Sequence, residues 1–175
     1  MRVSERKPDD PVQRAKDICL RLLQFRPRTR AELRQALLRK GIDEPVAEEV
    51  LGRLNEVGLV DDKAFAEVWV RSRHTYEGLG RRAIAAELRR KGVDEVVATE
   101  AVAAVDRGTE EARARQLVRK KLRTLTGADG ATMIRRLAGM LARKGYPEGM
   151  AFRVVRDELR AAGTDTTLLD DSPLD

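Results

Sequence analysis

The phrase Arg-Lys-Gly, followed by a large apolar or aromatic residue, occurs three times in this chain. It reads Arg39-Lys40-Gly41-Ile42, Arg90-Lys91-Gly92-Val93 and Arg143-Lys144-Gly145-Tyr146, at spacings of 51 and 53 residues. Each copy closes a stretch with apolar residues at helical spacing: Leu33 and Leu37, Ile84 and Leu88, Leu137 and Leu141. Each is followed by a helix-start signal and a second apolar-periodic stretch. A fixed period in this range marks one supersecondary unit stacked several times. The chain is thereby constrained to an array, which presents an extended surface rather than one enclosed catalytic pocket.

The unit reads as three helices joined by short loops. In the first, Ala15, Ile18, Cys19, Leu22 and Leu23 share one helical face, and Phe25 and Pro27 end the helix. Thr29 followed by Glu32 is a capping box, so a second helix starts there and runs to Lys40. Gly41 suits a left-handed C-terminal cap, with Arg39 and Lys40 beside the negative end of the helix dipole. Asp43 caps a third helix striped by Val46, Val50, Leu51 and Leu54, which Gly58 ends. In the second unit Asp61 and Asp94 are the caps, and the stripes are Phe65, Trp69 and Val70, then Ile84 and Leu88, then Val97, Ala101, Val102 and Val105. Phe65 and Trp69 read as core, while His74 and Tyr76 lie near the loop of Gly78 and Gly80 and read as exposed. In the third, Thr109 is the expected cap, with Glu110 and Glu111 in the first turn and Leu117, Val118, Leu122 and Leu125 inward. A loop from Gly127 to Gly130 and a helix opening on Pro147 complete it. No segment alternates with period two. The expectation is an all-α chain of about nine helices, in repeats over residues 12–60, 61–106 and 107–162. Residues 1–11 and the acidic tail 163–175 are expected to be disordered. The Arg-Lys-Gly phrase itself is explained by a basic last turn and a glycine cap.

Charge narrows the class of partner. Over residues 14–60, 61–106 and 107–160 the balance is +3, −1 and +8, while the tail from Ala161 carries four acids and no base. Such concentration points to a polyanionic or acidic partner. No apolar run is long enough to span a bilayer, the polar start is no secretory signal, and a single cysteine forbids an internal disulfide. These features suit a cytoplasmic protein. No phosphate loop, nucleophile–histidine arrangement or metal-ligand cluster is present. Asp61 and Asp62 read as a cap and a first-turn acid, and His74 is the sole histidine. An enzyme and a cofactor are therefore not expected.

The run Leu59-Val60-Asp61-Asp62-Lys63-Ala64-Phe65-Ala66-Glu67-Val68-Trp69-Val70-Arg71-Ser72-Arg73, continued by Gly78, Gly80, Ile84, Glu87, Leu88, Lys91 and Gly92, resembles the signature of the RecX family. Ala31-Glu32-Leu33, both outer Arg-Lys-Gly phrases and the Val154-Val155 stripe extend the resemblance over roughly residues 12 to 160. It implies three tandem three-helix repeats in an elongated, curved molecule. It also implies a regulator that binds within the groove of the RecA–single-stranded DNA filament, and a monomer is the expectation. Such a regulator inhibits ATP hydrolysis and strand exchange, and blocks filament growth or promotes disassembly.

A regulator of this kind needs cations for phosphates or carboxylates, and arginine serves best because its planar fork binds either at two points. Three clusters are candidates. Arg113, Arg115, Arg119, Lys120 and Arg123 share one helix, with Lys121 nearer its apolar boundary. Arg26, Arg28, Arg30 and Arg34 flank the first interhelical turn. Arg71, Arg73, Arg81, Arg82, Arg89 and Arg90 surround the central loop. Two other readings stay open. Tandem helix-turn-helix-like modules could bind DNA directly, although one Asn and four Gln are few for base readout. A general helical adaptor for another protein would show the same pattern.

Overall fold

A computed structural model describes residues 10–164 of the chain. The described residues form nine α-helices and no strand: α1 (Pro11–Phe25), α2 (Arg30–Arg39), α3 (Glu44–Glu56), α4 (Asp62–Thr75), α5 (Arg81–Arg90), α6 (Glu95–Ala103), α7 (Arg107–Leu122), α8 (Gly130–Arg143) and α9 (Glu148–Ala161). Residues 1–9 and 165–175, where most of the two flanking segments were expected, lie outside the described residues. The chain divides into two compact units. The first holds the residues up to Glu67 together with Leu88–Ala98, and the second holds Val68–Glu87 and the chain from Thr99. In the first unit α1, α2 and α3 close over Ala15, Cys19, Leu33, Leu37, Val50 and Leu51. In the second, α7, α8 and α9 close over Val118, Leu137, Leu141, Val154, Val155 and Leu159. In the middle repeat Phe65, Val70, Ile84, Leu88 and Val93 are buried. The 3.6-residue apolar stripes thus go inward in all three repeats.

Most helix starts follow their expected chemistry. Thr29 and Glu32 form the reciprocal capping box on α2. Asp61 Oδ1 accepts from Ala64 N at 3.0 Å, and Asp94 Oδ1 from Val96 N at 2.9 Å. Asp43 holds the cap position of α3 but makes no side-chain cap bond. The cap of α7 is Asp106, not Thr109, because the Asp106 carboxylate takes the Thr109 N–H at 2.7 Å and starts the helix two residues before it. Asp129 caps α8 in the same way through Thr132 N at 2.7 Å. Pro147 stands at the cap position of α9 rather than in its first turn. His74 is buried, not exposed: its Nδ1 lies 2.8 Å from Leu79 O.

The Arg-Lys-Gly phrase is also a joint between repeats. In the first unit Lys91 O accepts from Thr29 Oγ1 at 2.6 Å, and Arg30 N donates to Asp62 Oδ1 at 2.9 Å. A Cβ on Gly92 would lie 2.2 Å from the Ala31 Cβ. In the second unit Lys144 O accepts from Gly80 N at 2.8 Å, and Arg81 N donates to Glu110 Oε1 at 2.9 Å. A Cβ on Gly145 would lie 2.4 Å from the Ala83 Cβ. Thr29 and Gly80 each stand twelve residues before the glycine of their own repeat's phrase, so the two joints share one register. Each phrase docks on the first turn of the second helix of the preceding repeat. An acid from the first turn of that next repeat's leading helix caps the same first turn. At the first phrase Lys40 O takes Arg14 Nη2 at 2.9 Å, and nothing lies within 4 Å of a Cβ on Gly41.

Candidate functional site

The basic residues separate into those held by carboxylates of this chain and those left for a partner. On α7 the expected outward row is largely held. Arg113 donates to His74 O at 3.3 Å and Thr75 O at 3.0 Å, closing the C-terminal end of α4. Arg115 meets Glu111 at 2.7 Å, Asp157 at 3.1 Å and Glu158 at 3.4 Å. Arg119 forms a two-point bond to Glu158, with Nε at 2.8 Å and Nη2 at 3.0 Å. Arg153 reaches Glu111 at 2.7 Å. The result is a lattice of cations and acids drawn from both α7 and α9. The hydrogen bonds from Arg119 and Arg115 hold the Glu158 carboxyl below the usual carboxylate range, although its side chain is only 8% exposed. The bonds from Arg153 and Arg115 do the same for Glu111, and the bond to Glu111 raises the Arg115 guanidinium further. Lys120, Lys121 and Arg123, at the end of the same helix, are exposed. None of the three has an ion pair among the described residues.

The cluster at the first turn is held too. Arg26 meets Glu32 at 3.2 Å and Arg30 meets Glu48 at 2.7 Å. Arg34 meets Glu48 at 3.1 Å and also Glu44. Arg28 is half-buried, and its Nε is buried without a hydrogen-bond partner. In the central cluster Arg73 makes a two-point bond to Glu87, at 2.9 and 2.7 Å, and lies over the Trp69 ring at 5.1 Å from its centroid. Trp69 is half-buried and donates Nε1 to Glu87 at 2.9 Å, so the ring serves a structural bracket rather than a stacking platform. Arg81 meets the fully buried Glu110 at 3.0 Å, and Arg89 meets Glu95 at 2.5 and 2.8 Å. Arg71, Arg82 and Arg90 are exposed and make no ion pair among the described residues.

Among the sequence candidates the free cations of the second unit are therefore Arg71 on α4, Arg82 on α5, Lys120 on α7 and Arg123 at its C-terminal cap, with Lys121 beside them; Arg107, at the start of α7, is exposed and makes no ion pair among the described residues either. Sequence reasoning passed over α8, which carries Arg135, Arg136 and Arg143, all exposed, and not one acid. A count of acids within each helix would have found it. Clustered, unpaired, solvent-facing cations can engage phosphates or carboxylates without first giving up an internal partner. No group of three or more His, Cys, Asp or Glu among the described residues could hold a metal ion. No helix of these residues is long and apolar enough to cross a membrane.

Comparison with known proteins agrees with this architecture repeat by repeat. Residues 15–54, 61–102 and 109–155 match the family models for the first, second and third three-helix domains of RecX. The chain belongs to the RecX family. It is similar to the regulatory protein RecX of Amycolatopsis mediterranei, 55% identical over 172 residues that cover 98% of each chain. It is also similar to the regulatory protein RecX of Streptomyces coelicolor, 56% identical over 164 residues, 94% of this chain and 87% of that one. The fold matches the crystal structure of RecX from Lactobacillus salivarius with a TM-score of 0.80 at 22% identity, covering 88% of this chain and 99% of that one. A second crystal structure of a regulatory protein RecX gives a TM-score of 0.75 at 23% identity, covering 85% and 72%.

Proposed function

We propose that this chain is a non-catalytic regulator that binds the RecA–single-stranded DNA filament as a monomer in the cytoplasm. There it inhibits ATP hydrolysis and strand exchange by occupying the filament groove, capping filament ends or promoting disassembly, and so acts on homologous recombination and DNA repair. The observation that carries this reading is membership, over nearly the whole chain, in a family whose relatives are named regulatory proteins. The free cations of α7 and α8 supply the physical complement, since a nucleoprotein filament offers both phosphates and carboxylates. Among the sequence candidates, Lys120, Arg123, Arg71, Arg82 and Arg90 are the residues proposed to contact it directly. Arg115, Arg119, Arg73 and Arg81 are proposed to act by keeping the helices in place. The test is the rate of ATP hydrolysis by RecA on single-stranded DNA as the protein is titrated in. Inhibition well below one copy per RecA protomer fits end-capping or disassembly, and inhibition only near saturation fits groove occupancy. No inhibition at any ratio, with direct DNA binding intact, would overturn the proposal in favour of a DNA-binding protein.

A further inference from the structure

The chain has few aromatic residues: one Trp, two Tyr and three Phe. Phe65 and Tyr146 are buried, and Trp69 is half-buried and bonded to Glu87. Tyr76 stands at the other extreme, 81% exposed on the turn between α4 and α5. One exposed aromatic side chain needs no explanation by itself. What sets Tyr76 apart is how firmly its turn is held.

The carbonyls on both sides of Tyr76 are taken one after another. Arg73 O accepts from Leu79 N at 3.1 Å. His74 O and Thr75 O accept from Arg113 Nε and Nη2 at 3.3 and 3.0 Å. Glu77 O accepts from Lys144 Nζ at 3.0 Å, and Gly78 O from the Tyr146 hydroxyl at 2.8 Å. Leu79 O lies 2.8 Å from His74 Nδ1. Beneath them the turn sits tightly on α7, since a Cβ on Gly78 would lie 3.0 Å from Leu117 Cδ2. Loops are ordinarily the more mobile parts of a chain. Here three side chains of the third repeat fix the backbone under a ring that is left in solvent. A contact group held in place before binding loses less freedom when it binds.

The groups that hold the turn also set its charge. Arg113 and Lys144 make no ion pair among the described residues, and neither does the exposed Arg143 beside Lys144. Glu77, the one acid on the turn, lies 4.0 Å from Arg73, which Glu87 also holds. Phe25 is as exposed as Tyr76, but the cation next to it, Arg26, is paired with Glu32. Lysine is depleted from the cores of protein interfaces, so these neighbours do not suit an aromatic anchor for a protein pocket. They do suit a nucleotide, because every base has a π-face to stack on a ring and a phosphate beside it for a cation.

We propose that Tyr76 is a stacking platform for an unpaired base of single-stranded DNA, and that Lys144 and Arg113 attract the phosphate beside that base. This base contact rests on the reading above, which takes single-stranded DNA as part of the partner, and it adds to the phosphate contacts given to the free cations.

The test uses the full chain and two fluorescently labelled strands of about 20 nucleotides, one of thymidines and one abasic, with the same phosphates. Anisotropy titrations at low salt compare wild type, Tyr76→Phe and Tyr76→Ala, each first shown to be folded by its melting curve. Tyr76→Phe keeps the ring and should bind the thymidine strand as wild type does. Tyr76→Ala should bind it about 5- to 140-fold more weakly, the range expected for one lost stacked base, and should bind the abasic strand unchanged. Equal loss on both strands would overturn the proposal, because a base contact cannot weaken the hold on a strand without bases. No loss on the thymidine strand, or no binding of that strand by wild type, would overturn it too. Inhibition of RecA ATP hydrolysis by the same proteins separates this failure from failure of the regulator reading. Weaker inhibition by Tyr76→Ala at unchanged thymidine-strand binding would refute the base contact and assign the ring to a pocket on RecA. Inhibition by wild type without any base effect sinks the base contact alone, whereas no inhibition by wild type sinks the regulator reading whatever the strands show.

Discussion

Gly145→Ala against Gly41→Ala isolates the joint between repeats. Both glycines end a second helix in the left-handed region, at φ +88° and +78°. An alanine in that region costs about 1–2 kcal/mol at either position. Nothing lies within 4 Å of the new methyl at Gly41, so that is its whole cost. At Gly145 the methyl would sit 2.4 Å from the Ala83 Cβ, 2.5 Å from its N and 2.9 Å from its Cα. Carbon contacts are comfortable at about 3.5–4.0 Å. The atoms met are the first turn of α5, and backbone cannot swing aside as a long side chain would. Overpacking of this kind costs about 1–3 kcal/mol. Relief by separation would stretch the bonds from Gly80 N to Lys144 O and from the Tyr146 hydroxyl to Gly78 O, both 2.8 Å. Gly145→Ala should therefore exceed Gly41→Ala by about 1–3 kcal/mol. At about 2–4 °C per kcal/mol for a chain of this size, the gap in Tm is about 2–12 °C. The assay is thermal unfolding followed by helical circular dichroism, with calorimetry to establish whether the transition is two-state. Losses equal within about 0.5 kcal/mol would refute the joint, leaving the glycine as a cap alone.

Three further outcomes follow from the same contacts. Lys120→Glu, Lys121→Glu and Arg123→Glu together should weaken binding to the RecA–single-stranded DNA filament while lowering Tm by only a few degrees. If all three cations meet phosphates, binding titrations at several salt concentrations should show a log–log slope shallower by about 2. Arg115→Ala should instead lower stability by about 1–3 kcal/mol in urea unfolding, because Glu111, Asp157 and Glu158 lose a shared donor. Stability should also fall in acid. The Glu158 and Glu111 carboxyls are held below their ordinary value by their arginines, so their contribution is full above about pH 4.5. It is lost as pH falls through the lowered folded values, and Glu158→Gln should flatten that acid limb of the urea midpoint.

The repeat architecture was legible because its signals are local. Helical periodicity, the Thr29–Glu32 box and the glycine caps each lie within a few residues of what they organise. The errors were equally local. Thr109 precedes two glutamates and so carries the sequence pattern of a cap for α7, yet Asp106 reaches its N–H from three residues away. Nearness to two glycines makes His74 look exposed in sequence, whereas the folded chain buries it and brings Leu79 O within 2.8 Å of its Nδ1. The joint was illegible for the opposite reason. Thr29 Oγ1 and Lys91 O are 62 residues apart in sequence, and helix propensity says nothing about which carbonyl a cap hydroxyl will meet. What the sequence did contain, unread, was the shared twelve-residue register of Thr29 and Gly80 before their glycines.

The same distinction decides how far a charge count can locate a binding surface. The third repeat's balance of +8 suggested the whole outer row of α7 as the interface. Arg115 and Arg119, however, find their acids on α9, 42, 43 and 39 residues downstream, and Arg81 finds Glu110 29 residues away. Pairing across helices removes the middle of α7 from the free charge and leaves its C-terminal end, Lys120 to Arg123. It leaves α8 untouched, since no acid on that helix or ion pair from a neighbour reaches Arg135 or Arg136 among the described residues. The cations left at the end of α7 also favour that end of the helix dipole, so removing their charge should trade a few tenths of a kcal/mol of helix stability, about 0.3 per charge, for a much larger loss at a polyanion. That inequality, small in folding and large in binding, is the property that separates a contact residue from a strut in this array.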